Sequence, residues 1–200
     1  MTKVKLCGMR RKEDILAANR YGPDWIGFVF AKSKRQVSKE EAAELKQLLS
    51  PKILAVGVFV DAPVTEMVSL YEAGIIDVIQ LHGGEGPQVV EEIQARCSAP
   101  IIQAVSVRGK EDVEKALSSK ADYLLFDSGS GGTGQSFDWA HLGEMKRPFF
   151  LAGGIRQENL EEALQLHPFA IDVSSGVETD GYKDEEKIKQ LMETVRRREQ

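Results

Sequence analysis

Eight short apolar runs recur along the chain: Val4 to Cys7, Trp25 to Phe30, Leu54 to Val60, Val78 to Leu81, Ile101 to Val105, Tyr123 to Phe126, Phe149 to Ala152 and Phe169 to Val173. Polar residues do not alternate within them, so they read as strands buried on both faces, the pattern of a covered parallel sheet. Helical patterns fill the gaps. Ser38 to Leu49 opens Ser-Lys-Glu-Glu, so Ser38 caps the helix and Glu41 returns the bond, while Ala42, Leu45, Leu48 and Leu49 share one side. Asp61-Ala-Pro-Val predicts a helix capped by Asp61, and Gly86-Pro87 opens another ahead of Val89, Val90 and Ile93. Lys110 to Leu117, Asn159 to Leu166 and Asp184 to Arg197 supply three more. Glu13 to Tyr21 and Trp139 to Lys146 are placed as helices by their position between strands.

Eight strands alternating with eight helices predict the α/β class and a closed (β/α)8 TIM barrel. No linker or composition break divides residues 1–200, so the expectation is one compact catalytic domain.

Composition narrows the function. A chain that is 42% apolar and 28% charged suits a soluble core, and a net charge of -5 argues against a nonspecific nucleic-acid binder. Residues 1–50 nevertheless carry eleven Lys or Arg against six Asp or Glu, which suits an anionic small molecule. Cys7 and Cys97 are the two cysteines, and there is neither an apolar leader nor a run of eighteen apolar residues. The expectation is a reduced, cytoplasmic protein that begins near its natural start and has no membrane partner. His82, His141 and His167 fall in no zinc-like spacing, so no metal is expected.

In such a barrel, ligands meet the loops after the C-terminal ends of the strands. Gly153-Gly154 and Ser174-Ser175-Gly176 follow the last two strands, where open backbone and serine hydroxyls suit a phosphate; the plainer reading is that Gly-Gly turns the chain. No Gly-Lys-Ser or Gly-Lys-Thr follows either turn, so a nucleoside triphosphate is not implied. Gly129, Gly131, Gly132 and Gly134 read as a mobile cover over a ligand or as a surface loop without chemistry. Asp127 ends an apolar strand, where desolvation would raise its pKa toward a usable proton. Cys7 offers a thiolate base or nucleophile, or else a core residue. Arg35 reads as a carboxylate clamp or as part of a solvated basic turn with Lys32 and Lys34. His82 orients a ligand oxygen or packs at the rim. Asp172 binds a substrate hydroxyl or amine, or organises nearby backbone. Glu178 and Asp180 read as a polar turn, and Cys97 as structural.

Several stretches, in order, carry a resemblance: Lys5-Leu-Cys-Gly8, Gly27-Phe-Val-Phe30, Ser33-Lys-Arg35, Val56-Gly-Val-Phe59, Gln80-Leu-His-Gly83, Asp127 with Gly131-Gly-Thr-Gly134, Phe137-Asp-Trp139, Ala152-Gly-Gly154, Asp172-Val-Ser-Ser-Gly-Val-Glu178 and Gly181-Tyr-Lys-Asp184. Together they resemble the phosphoribosylanthranilate isomerase family of tryptophan biosynthesis. The resemblance implies an Amadori rearrangement of N-(5-phosphoribosyl)anthranilate to 1-(2-carboxyphenylamino)-1-deoxyribulose 5-phosphate, with no cofactor and no metal. It makes Asp127 the general acid toward the ribose ring oxygen and Cys7 the general base toward C2. It gives Arg35 the anthranilate carboxylate, places the phosphate near Gly154, Ser174, Ser175 and Gly176, and puts Asp172 near the polar centre, with His82 also toward the substrate. The implied partner is a small phosphorylated molecule, and the implied assembly a monomer or homodimer. One departure is Lys34, where the family often has proline; lysine either leaves Arg35 more mobile or adds positive charge. A phosphosugar epimerase or aldolase on the same barrel, and a barrel that binds without turnover, are the competing readings.

Overall fold

Each apolar run becomes a strand of a closed, eight-stranded parallel barrel in the computed structural model, which describes residues 2–128, 137–143 and 145–197. The strands are β1 (Lys3–Cys7), β2 (Trp25–Val29), β3 (Leu54–Phe59), β4 (Val78–Leu81), β5 (Ile101–Ser106), β6 (Tyr123–Asp127), β7 (Phe149–Leu151) and β8 (Ala170–Val173). Each pairs with the next, and β8 closes on β1 with Lys3 opposite Ala170 and Lys5 opposite Asp172. Outward side chains such as Leu6, Ile26, Phe28 and Phe126 pack under the surrounding helices. Inward ones, among them Val56, Val78, Ile102, Leu125 and Phe150, fill the barrel itself.

The helices are α1 (Lys12–Tyr21), α2 (Lys39–Leu48), α3 (Val64–Glu72), α4 (Pro87–Arg96), α5 (Lys110–Ala116), α6 (Leu160–Gln165) and α7 (Glu185–Arg197). The α2 capping box forms as its sequence predicts: Ser38 Oγ accepts from Glu41 N at 3.1 Å, and Glu41 Oε2 accepts from Ser38 N at 2.7 Å. Two expectations fail locally. Asp61 does not cap α3, which begins after Pro63; Asp61 has φ 49° and its carboxylate accepts from Gly84 N instead, joining two loops. The helix expected over Trp139 to Lys146 is a 3₁₀ turn, Trp139–Leu142, capped by Asp138 and ended by Gly143 at φ 55°, ψ -151°.

The two ends of the barrel differ in chemistry. At the N-terminal end, Trp25, Tyr123, Phe150 and Phe169 form an aromatic floor, with ring centroids 5.1 Å apart for Trp25–Phe150 and for Tyr123–Phe169. Lys3 Nζ lies 5.0 Å from the Trp25 ring centroid and 5.1 Å from that of Phe169. Just outside this floor, three aspartates tie adjacent strands. Asp24 accepts from Val4 N, Asp77 from Ala55 N and Asp122 from Ile101 N, at 3.0, 2.7 and 2.8 Å. Both described chain ends lie at this end: β1 starts here, and α7 finishes with Arg196 bonded to the carbonyls of Tyr21 and Gly22.

At the opposite end, the mouth, a short antiparallel ribbon follows β8: β9 (Glu178–Thr179) and β10 (Tyr182–Lys183). Asp180 and Gly181 turn it with φ 52° and 78°, the doubly left-handed geometry that Asp-Gly accommodates. The Arg10 and Arg11 guanidinium groups lie 4.4 and 4.5 Å from the centroid of the Tyr182 ring, and those arginines donate to Gly181 O and Lys183 O. The ribbon is thereby anchored to the start of α1. No helix among the described residues is long and apolar enough to cross a membrane.

Candidate functional site

The mouth encloses a cavity of about 220 Å³ lined by residues from seven strand ends or their loops, including Cys7, Arg35, His82, Asp127, Gly154 and Asp172. Cys7 ends β1 and its thiol fits because β2 carries Gly27 opposite; a Cβ there would lie 2.8 Å from Cys7 Sγ. Two residues earlier on the same strand face, Lys5 is wholly buried and donates to Asp172 Oδ2 at 2.7 Å. Burial alone would lower the Lys5 pKa, but Asp172 and Cys7 outweigh it and hold the ammonium pKa above its ordinary value. Asp172 thus acts first as the counterion of a buried lysine, and it also lines the cavity wall. For Cys7, burial pushes the thiol pKa up despite the opposing pull of Lys5 and Lys183.

Asp127 ends β6, where its Oδ1 accepts from Ser128 N at 2.6 Å and its Oδ2 lies 3.3 Å from His82 Nε2. The expectation of a raised pKa is corrected here. Burial does push the carboxyl upward, but His82 and the Ser128 N–H outweigh it and hold Asp127 below the usual carboxylate range. His82 is itself oriented from below: Gln80 Nε2 lies 2.8 Å from Nδ1. His82 lines the cavity, so it is both a rim residue and a partner of Asp127. Gly153, at φ 81°, gives this corner its room, since a Cβ would come within 2.8 Å of Asp127 Oδ1 and 2.7 Å of Ser128 N.

Arg35 does sit in a turn with the exposed Lys32 and Lys34, but its side chain leaves that turn. Its side chain is 13% exposed, and Nε and Nη2 each donate to a Glu178 oxygen at 2.8 Å. The arm passes over Gly8, whose φ is 82° and where a Cβ would lie 2.5 Å from Arg35 Cδ. Glu178 also receives the buried Lys183 ammonium at 2.6 Å. Burial works against the Glu178 charge, but Arg35 and Lys183 prevail and lower its pKa to about 2. Sequence reasoning read Glu178 as part of a polar turn and did not single out Lys183. Their spacing across an Asp-Gly hairpin was the available signal, because a hairpin of this length sets its two limbs side by side. Lys34, the departure from the family pattern, is exposed.

On the remaining wall, Gly153 and Gly154 both have positive φ, 81° and 66°, and Asn159 Nδ2 donates to Gly154 O at 3.0 Å. Ser174 Oγ donates to Cys7 O, so that hydroxyl hydrogen is already committed to bracing β1; Ser175 lines the cavity beside it. Gly176 is not among the lining residues: a Cβ there would run into Ile155 O, so this glycine lets the last two loops pack together. The proposed cover residues Gly129, Gly131, Gly132 and Gly134 lie outside the described residues. Among the described residues, no three His, Cys, Asp or Glu side chains converge on a metal-sized site, and Cys7 and Cys97 are both free thiols.

The site therefore joins a thiol at the end of β1 and a carboxyl group at the end of β6 with a cation at the rim and two glycine-bearing turns, an arrangement suited to moving protons on an anionic molecule. A family model described as N-(5'phosphoribosyl)anthranilate (PRA) isomerase matches residues 4–194. The N-(5'-phosphoribosyl)anthranilate isomerase of Streptococcus mutans is 46% identical over 201 residues, covering 98% of this chain and all of that one. The crystal structure of phosphoribosyl anthranilate isomerase from Thermus thermophilus superposes with a TM-score of 0.90 at 37% identity, over 98% of this chain and 99% of that one. A phosphoribosyl anthranilate isomerase in complex with reduced 1-(o-carboxyphenylamino)-1-deoxyribulose 5-phosphate superposes at 0.84 with 33% identity and the same coverage.

Proposed function

The chain belongs to the phosphoribosylanthranilate isomerase family, and from that premise we propose that it rearranges N-(5-phosphoribosyl)anthranilate to 1-(2-carboxyphenylamino)-1-deoxyribulose 5-phosphate, a step of tryptophan biosynthesis, as one catalytic domain. The observation that carries the reading is the convergence of Cys7 from β1 and Asp127 from β6 on one cavity that also holds Arg35 and the Gly153-Gly154 turn.

In the ring-opening step, the C1–O4 bond breaks as the amine nitrogen forms a C=N bond, and the departing ring oxygen takes a proton from Asp127. The Cys7 thiolate then removes the C2 proton, and that electron pair forms the C1=C2 bond and neutralises the iminium nitrogen. Transfer of the enol proton from oxygen to C1 gives the ketone, and passage of the proton held by Cys7 back to Asp127 through solvent restores both groups, so the cycle balances without a redox group. Arg35 takes the anthranilate carboxylate, and the turns carrying Gly154 and Ser175 take the phosphate.

The ligand-free cavity holds its protons the other way round: Cys7 favours the thiol and Asp127 the carboxylate. Desolvation by bound substrate raises the proton affinity of Asp127 and favours its acid form, and the cationic iminium created on ring opening favours the Cys7 thiolate. The test follows loss of substrate fluorescence with freshly generated substrate, the product being confirmed by mass. Cys7→Ala and Asp127→Asn are each expected to lower kcat at least about a hundredfold while leaving inhibition by inorganic phosphate within about threefold. Folded wild-type protein that leaves saturating substrate unchanged would overturn the reading.

A further inference from the structure

We propose that Glu178 and Lys183 are positioning residues that make Arg35 a selective receptor for the carboxylate on the substrate's aromatic ring; the proposal rests on the isomerase reading above. Arg35 binds Glu178 sideways, through Nε and Nη2. A guanidinium has a second, end-on edge formed by Nη1 and the other hydrogen of Nη2, and that edge matches a further carboxylate. Nη1 has no hydrogen-bond partner among the described residues, and Arg35 lines the cavity.

An Arg–Glu pair alone would be electrically neutral and a poor attractor for an anion. Lys183 alters that balance. Its amine, 1% exposed, lies 2.6 Å from Glu178 Oε1, so a second basic group faces the one carboxylate that Arg35 also binds. Burial lowers the Lys183 pKa, while Glu178 works to keep the proton in place. Lys183 also donates to Ser174 O at 2.9 Å, which ties the carboxylate receptor to the turn beside Ser175. Gly8 confines the arm from below and Glu178 fixes its plane, so little side-chain freedom remains to be lost on binding.

A purely structural role, bracing the β9–β10 ribbon, would harm every substrate alike. The two roles separate when N-(5-phosphoribosyl)anthranilate is compared with its carboxyl-free analogue N-(5-phosphoribosyl)aniline. In Lys183→Met, kcat/KM for the carboxylated substrate should fall at least tenfold through KM, whereas that for the analogue should change less than threefold. Lys183→Arg should restore the ratio to within threefold of wild type. Lys183→Gln repeats the measurement with a polar neutral side chain should the Met variant fail to fold. An unchanged ratio in both neutral variants overturns this proposal alone; wild-type protein that converts neither compound overturns the isomerase reading together with it.

Discussion

Glu178 shows how much one side chain can depend on partners distant in sequence. Its charge is stabilised by Arg35, 143 positions away, and by Lys183 across a hairpin, and no local pattern encodes the first of these. Cys7, Asp127 and Arg35 were legible because each ends or follows an apolar run, and the barrel brings strand ends together whatever their spacing. Their protonation was not legible, since it depends on His82, Ser128 and buried lysines reaching them in three dimensions. The depressed Glu178 pKa has a consequence for stability. A carboxylate whose folded pKa lies below its unfolded value contributes stability that is present above the unfolded pKa, near 4.5, and is lost as pH falls through about 2. Glu178→Gln should therefore flatten the acid limb of the stability curve between those values. Urea unfolding across that range checks it, and an acid limb as steep as wild type would refute the assignment.

Among the elements, the strands were the most legible because both of their faces are buried. Connections were less so. The 3₁₀ turn after β6 stops at a left-handed glycine, and Asp61 serves a neighbouring loop rather than its own helix; each is a choice between two satisfied arrangements that sequence alone does not rank. A recurring signal at the strand starts is plainer in retrospect. Asp24, Asp77 and Asp122 each immediately precede an apolar run, β2, β4 and β6, and each accepts from the strand before it. These links pin adjacent strands from half-buried or exposed carboxylates to backbone N–H groups of the strand before. Asp122→Ala leaves the N–H of Ile101, a fully buried residue, without that acceptor, at a cost of about 1–3 kcal/mol. The midpoint and slope of urea denaturation measure it; a change no larger than that of an exposed substitution such as Glu114→Ala would show that the link is dispensable.

Across the whole molecule, the barrel separates adhesion from chemistry. The aromatic floor and the aspartate links lie at one end, and the ionisable groups of the cavity lie at the other. The overall architecture follows from periodicity, whereas the ribbon over the mouth depends on cation–π contacts of Arg10 and Arg11 with Tyr182 that join residues far apart in the chain. The placement of the two described chain ends beside the floor has a practical consequence for attachment. A surface or fused partner joined through a flexible tether at either end would sit on the blind side of the barrel, and substrate would still approach from the opposite end. Immobilisation through the C-terminal tail should keep kcat/KM within about twofold of the free protein, whereas coupling through a cysteine introduced at Lys34, on the rim, should lower it severalfold. Equal losses at the two sites would mean that access is not governed by the direction in which the barrel opens.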